Sequence, residues 1–334
     1  MTGPGGDQPR TVLLTGGTGF IGSHVLAGLL AAADRGARLR VRLLAHTAAP
    51  PAHPAIEPWT GDLADPATLR GVCAGVSRVL HLGSLITGDE DRLQAVNAVG
   101  TSALLGEARA AGSRSFVRLS TTAVYGPGPH RGVTEETAVP GPKSAVSCSR
   151  LAGDAQVLAA SGTVVRPHLV YGRGDTWVVP AAVTALRLLP GLPDDGRARV
   201  SLVSADDLAK ALVALALDEA EPPAGVLHAA HPEPVSVRAM LSRVAGELSL
   251  PLPEQALTAD EALPGLPVGD ERALRLIRFL TTDAWFDSRL LWRTTGVHPG
   301  AGFLAGFPAH APWYRESLRL PGSSILSGAR RLAP

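Results

Sequence analysis

The sequence predicts an α/β protein: a doubly wound parallel sheet with helices on both faces, joined to a smaller C-terminal domain. Three observations predict it. Short apolar runs alternate with helical segments through the first half of the chain, a glycine-rich turn links the first run to the first helix, and the rhythm loosens after Pro167. The 334 residues suffice for a sizeable core. With 45% hydrophobic and 18% charged residues, a disordered or collagen-like chain is excluded.

The elements follow in order. Strands are predicted over 11–15, 39–45, 78–82, 115–120 and 163–166, within a sheet of six, and helices over 20–33, 66–74, 91–111 and 146–160. Beyond Pro167, Gly/Pro clusters at 190–196, 221–225 and 251–253 separate shorter elements. A first domain over 11–166 and 199–230 and a second over 167–198 and 231–320 are expected, with loose tails over 1–10 and 321–334.

Charge and cysteine content narrow the partners. A formal net charge of +1 leaves no field to hold a phosphate backbone or an anionic membrane, so neither nucleic acid nor membrane is expected. Cys73 and Cys148 form neither a disulfide framework nor a metal-ligand pattern, so no metal is expected and a cytoplasmic location fits. A monomer or small homo-oligomer is expected.

The strongest motif is Thr15-Gly16-Gly17-Thr18-Gly19-Phe20-Ile21-Gly22, between a strand and an amphipathic helix. Gly16 permits the tight turn, Gly19 the approach of a diphosphate to the backbone, and Gly22 close helix–strand packing. This is a Rossmann-type dinucleotide signature. NAD-specific proteins end the second strand with a carboxylate that binds the ribose hydroxyls, but this strand ends Leu44-Ala45-His46-Thr47. His46 and Ser23 offer donors to a 2′-phosphate, and Arg42 is a less well placed cation, so NADP(H) is the expected cofactor.

Further motifs accumulate: Gly61-Asp62-Leu63, His81-Leu82-Gly83-Ser84, Asn97-Ala98-Val99-Gly100-Thr101, Leu119-Ser120-Thr121-Thr122-Ala123-Val124-Tyr125-Gly126, Val165-Arg166-Pro167 and Val170-Tyr171-Gly172. With them the chain resembles the extended short-chain dehydrogenases/reductases of the NAD-dependent epimerase/dehydratase type, from Thr11 to about Arg315. The resemblance implies that Asp62 accepts from the adenine amine with Leu63 beside the ring. It implies that Leu82, Gly83 and Ser84 border the ribose and diphosphate, and that Pro167 and Val170 lie by the nicotinamide. It places the catalytic Ser/Thr at Thr121.

One departure matters most. The family's Tyr-x-x-x-Lys pair sets a proton-transferring phenol one helical turn before a lysine. Here Ser149-Arg150-Leu151-Ala152-Gly153-Asp154 fixes the register, which puts Arg150 at the lysine position and Val146 at the tyrosine position. A guanidinium anchors and attracts but does not relay a proton.

Losing a positioned acid forfeits about 10²–10⁴-fold, which disables ordinary epimerase and dehydratase chemistry. Hydride transfer to a ketone survives if the substrate's own phenol, or water, supplies the proton. Thr121, Ser120 and Arg150 are then the candidates to hold the reacting oxygen. A broad apolar pocket is expected from Leu85, Ile86, Val124, Val146, His168, Trp177 and Val178, several of which equally suit a core.

Arginine greatly outnumbers lysine, which occurs only at 143 and 210, and Ala, Gly and Pro abound, as in a G+C-rich genome. The missing tyrosine resembles that of ketoreductases acting on polycyclic aromatic, angucyclinone-like polyketides in antibiotic biosynthesis. The expected activity is therefore NADPH-dependent reduction of a small-molecule aromatic ketone by the first, NADP-binding domain and the second, substrate-binding one. The alternatives are a catalytically silent NADP-binding regulator or scaffold, and a nucleotide-sugar epimerase or dehydratase with a relocated acid.

Overall fold

The computed structural model describes residues 9–47, 49–262 and 271–320. Of the tails expected over 1–10 and 321–334, residues 1–8 and 321–334 lie outside the described residues, while Arg10 opens the first strand.

Seven parallel strands form the main sheet: β1 (Arg10–Thr15), β2 (Leu39–Ala45), β3 (Ile56–Thr60), β4 (Arg78–His81), β5 (Ser115–Leu119), β6 (Thr163–Pro167) and β7 (Gly225–Ala229). Their order is β7-β6-β5-β4-β1-β2-β3. Both faces of the inner strands are buried, so these strands are mainly apolar and their alternate residues enter different cores. Val12, Leu14, Val41, Leu80 and Val165 pack on one side, and Leu13, Leu44, Val79, Phe116 and Val164 on the other. The first face is covered by helices α1 (Phe20–Asp34) and α4 (Ala205–Leu217), through Val25, Leu29, Leu208 and Leu212. The second receives Leu104, Leu105 and Ala108 of α2 (Gly100–Ala110) and Val157 of α3 (Ala145–Ala159).

Three expectations are corrected. The sheet has seven strands rather than six, because the edge strand β3 is five residues with Pro58 at its centre and shows no alternation. The helix expected over 66–74 is a single 3₁₀ turn, Pro66–Leu69, capped by Asp65. The helix expected over 91–111 is Glu90–Gln94 and α2 joined by a π-helical turn, Ala95–Val99. A Cβ on Gly153 of α3 would lie 2.2 Å from the Asn97 carbonyl in that turn, so glycine lets α3 pack against it.

The chain divides into two compact units, 1–174 with 199–234 and 282–300, and 175–198 with 235–281 and 301–334. Residues 167–174, 231–234 and 282–300, assigned to the smaller domain from sequence, fall in the first unit, where Leu169–Tyr171 pairs with Leu202–Ser204 and Ala284–Phe286 with His130–Val133. In the second unit, Asp175 caps the helix Val178–Leu188 by accepting from the Val178 and Val179 amides at 2.9 Å, and it also accepts from the Tyr314 hydroxyl at 2.8 Å. Among the described residues no helix is long and apolar enough to cross a membrane, and no cluster of three or more His, Cys, Asp or Glu could hold a metal ion.

Candidate active site

From β1 the chain winds to β2 and β3, then returns past β1 to β4, which opens a crevice at the carboxyl ends of β1 and β4. There Gly16 adopts φ +69°, and a Cβ on it would lie 2.6 Å from the Gly83 nitrogen. A Cβ on Gly22 would lie 1.9 Å from the Gly16 carbonyl, so both positions require glycine. Gly19 stands at the start of α1 without a side-chain cap and is exposed with Thr18, beside half-buried Phe20 and Ile21. The bare cradle and the uncapped helix start fit a diphosphate.

A hydrogen-bond chain braces the crevice. Gly83 N–H donates to Thr15 Oγ1 at 2.9 Å, and the Thr15 hydroxyl donates to His81 Nδ1 at 2.8 Å. His81 Nε2–H then donates to Thr101 Oγ1 at 3.0 Å, and that hydroxyl to the Asn97 carbonyl at 2.8 Å. Burial holds the His81 imidazole neutral, well below its usual range. The Asn97 side chain clasps the Leu85 backbone at both N and O, 2.8 Å each, and donates to Ser149 at 3.0 Å. Leu82 is buried, while Gly83, Ser84 and Leu85 stay half-buried on the loop this asparagine fixes.

At the expected adenosine end, His46 Nε2 lies 3.3 Å from Asp62 Oδ2, so the two residues that the sequence suggested separately stand together. Asp62 Oδ1 accepts from the Ala64 amide, and Leu63 packs beside Gly83. The Ser23 hydroxyl donates to the Phe20 carbonyl at 2.8 Å, which spends the hydrogen expected for a phosphate. Arg42 is spent on Glu57 and on the Val72 and Ala74 carbonyls.

At the other end, Thr121 follows β5. Its Oγ1 accepts from the Ala123 amide at 3.2 Å, which leaves the hydroxyl hydrogen to donate. Ser120 is a correction: it is 2% exposed and its hydroxyl donates to Asp154 Oδ2 at 2.7 Å. The fully buried Asp154 also receives Arg118 Nε at 3.0 Å and Arg166 Nε and Nη2 at 3.0 and 2.9 Å. Arg166 goes on to the Tyr125 hydroxyl at 2.9 Å, which meets His228 Nε2 at 2.7 Å. Arg150, only 9% exposed, donates from Nη2 to the Leu119 carbonyl at 3.1 Å, while its buried Nε has no hydrogen-bond partner among the described residues. Burial brings its pKa down to about 10, so it remains a cation at neutral pH.

Of the expected pocket residues, Val146 is half-buried on α3, one turn before Arg150. Val124 is a second correction: it is fully buried in a cluster with Tyr125 and Phe286, with Val133, Ala138 and Leu151 packed against them. Pro167 and Val170 are buried at and just beyond the end of β6, and Ile86 is exposed. Half-buried His168 is bonded to Thr122. Trp177 and Val178 belong to the second unit, Trp177 half-exposed beneath the Arg275 guanidinium and Val178 buried in the helix it opens. Sequence reasoning missed Arg118 and used Asp154 only as a register mark. A charged residue within a strand buried on both faces was the available signal, because it must find a counterion.

The model of the NAD dependent epimerase/dehydratase family matches residues 12–228, more than half of the chain. The chain belongs to this family. It is 33% identical over 218 residues to the ceramide reductase of Caulobacter vibrioides, matching 62% of this chain and 61% of that protein. It is 29% identical over 184 residues to the 4-hydroxy-2-methyl-3-oxo-4-farnesyl-3,4-dihydroquinoline-1-oxide ketoreductase of Stigmatella aurantiaca, 52% of this chain and 54% of that one. The chain thus spans less than two thirds of either relative. The crystal structure of dTDP-glucose 4,6-dehydratase from Bacillus anthracis in complex with NAD superposes with a TM-score of 0.71 at 18% identity, covering 93% of this chain and 98% of that one. At that identity the likeness is one of fold.

Proposed function

We propose that this family member is an NADP(H)-dependent oxidoreductase that reduces a ketone of a polycyclic aromatic, angucyclinone-like polyketide in antibiotic biosynthesis. One observation carries the reading: Val146 stands one turn before Arg150, and each of the three tyrosines is engaged or buried elsewhere. Tyr125 is bonded to Arg166 and His228, Tyr314 to Asp175, and burial drives the Tyr171 phenol well above its ordinary range. The names of the two relatives, a reductase and a ketoreductase, support the same chemistry.

The glycine turn, His46, Asp62, Leu63 and residues 82–84 would hold the dinucleotide, which when bound supplies the hydride. Thr121 donates its free hydroxyl hydrogen to the ketone oxygen. Arg150 adds a fixed positive charge whose buried Nε–H is unpaired among the described residues, and together they favour the alkoxide. No phenol of this chain is positioned to protonate that alkoxide, so a hydroxyl beside the carbonyl on the substrate's ring, or water, delivers the proton.

Incubation with NADPH and a hydroxylated fused-ring ketone tests the reading. Oxidation of the cofactor matched by loss of the ketone is the expected result. Tight NADPH binding with no turnover would instead make the protein a sensor or scaffold.

A further inference from the structure

Building on the ketoreductase reading, we infer that His168 is a neutral imidazole donor, presenting Nε2–H to the oxygen of the bound ketone, with Thr122 setting its tautomer. His168 directly follows the carboxyl end of β6, and the neighbouring strand β5 leads into Thr121 and Thr122. Ligands of such sheets bind at this end. The Thr122 side-chain oxygen lies 2.7 Å from His168 Nδ1.

Proton accounting fixes the direction of that bond. Thr122 is 3% exposed, and its hydroxyl has no other hydrogen-bond partner among the described residues. If Nδ1–H donated, the threonine hydrogen would be stranded in a buried place. If the threonine donates, every hydrogen is placed and the ring carries its proton on Nε2. His168 is half-buried, and its Nε2 makes no hydrogen bond to any described residue. That leaves Nε2–H for a ligand.

The surroundings keep the ring uncharged. The Phe286 ring packs 5.3 Å away, and burial, with a smaller contribution from His130, holds the His168 pKa down at about 3. A neutral imidazole polarises a carbonyl without acting as an acid at neutral pH, which fits a reaction whose proton comes from the substrate. His168 would thus complement Thr121 at the developing alkoxide.

Two measurements decide it. In protein labelled with ¹⁵N at histidine, long-range ¹H–¹⁵N spectra at pH 7 should show His168 as the Nε2–H tautomer, its resonance moving when NADP⁺ and 1-hydroxyanthraquinone are added. An Nδ1–H or imidazolium form, or a resonance unmoved by bound ligand, would overturn the proposal. In turnover with NADPH, His168→Phe should lower kcat about 10²-fold, the usual cost of one lost oxyanion donor, with NADPH affinity unchanged. His168→Gln, which keeps an N–H near the Nε2 position, should recover most of the rate, and Thr122→Val should fall between. Wild-type rates in His168→Phe would refute the donor role and leave the ketoreductase reading standing. A wild type that binds the quinone without turnover would sink the ketoreductase reading alone, and the ¹⁵N shifts would still judge His168.

Discussion

Ser120 and Asp154 are joined by a 2.7 Å hydrogen bond wholly inside the protein, and that bond separates the roles of two adjacent hydroxyls. Ser120 completes a buried charge cluster, while Thr121, the next residue, accepts from the Ala123 amide and has its hydrogen left to donate. Thr121→Val should reduce turnover about 10²-fold. Ser120→Ala should leave turnover within about threefold of wild type and cost about 1.5–3 kcal/mol of stability, since the bond goes to a buried carboxylate. NADPH oxidation and urea titrations of both variants check the contrast, and equal kinetic losses would contradict it.

Asp154 is the carboxylate shared by buried Arg118 and Arg166. Asp154→Asn leaves two guanidinium groups facing a neutral amide, and breaking such a cluster costs about 3–5 kcal/mol. Urea unfolding should show a loss of that size, in contrast to replacement of an exposed carboxylate such as Glu90.

The proposed NADP(H) preference rests on the end of β2. His46 stands beside Asp62, and a carboxylate in place of the imidazole would repel a 2′-phosphate. His46→Asp should weaken NADPH at least tenfold while sparing NADH, as read by calorimetric titration with each. Unchanged NADPH affinity would remove His46 from the phosphate site.

Arg150 offers charge without a transferable proton. Arg150→Met should lower turnover with little change in KM if the charge acts mainly on the alkoxide. Arg150→Lys should restore part of the rate and, because an amine titrates more readily, bend the pH–rate profile downward at alkaline pH. A flat profile in the lysine variant would argue against its proximity to the reacting atoms.

Two titrations pull stability in opposite directions. The hydrogen bond to Asp206 raises the His24 pKa above 6.5, so that pair's contribution is complete below 6.5 and is lost as pH rises through the raised value. His168 and His228 are held near 3 and 4, mainly by burial, so unfolding takes up protons as pH falls below about 6.5 and stability declines toward pH 4. Melting temperatures should fall on acidification, and the gap between wild type and His24→Asn should shrink from pH 5.5 to 8.5. A gap independent of pH would show that the pair carries no charge.

Most of the sheet was legible in the sequence because strands buried on both faces are mainly apolar, and β1, β2, β4, β5 and β6 read so despite the buried Arg42, Arg78, Arg118 and Arg166. β3 escaped because an edge strand escapes it too, and the π turn at 95–99 escaped because it changes the hydrogen-bond pattern without changing the residue types. The glycine motif was legible for a steric reason: at Gly16 and Gly22 a Cβ would collide with backbone, so the geometry leaves its mark on composition. Val146 and Arg150 were placed on one helix face by spacing alone, and α3 keeps them one turn apart.

The sequence by itself determined the doubly wound sheet, the glycine cradle and the aliphatic residue one turn before Arg150, since each follows from local sterics or a fixed helical period. Only the tertiary structure decided that Ser120 is committed to Asp154, that His46 meets Asp62 and that Thr122 holds His168. A hydroxyl or imidazole looks the same in a string of letters whether bonded or free. Its availability depends on partners 16 to 46 residues away, which folding alone brings within hydrogen-bonding distance.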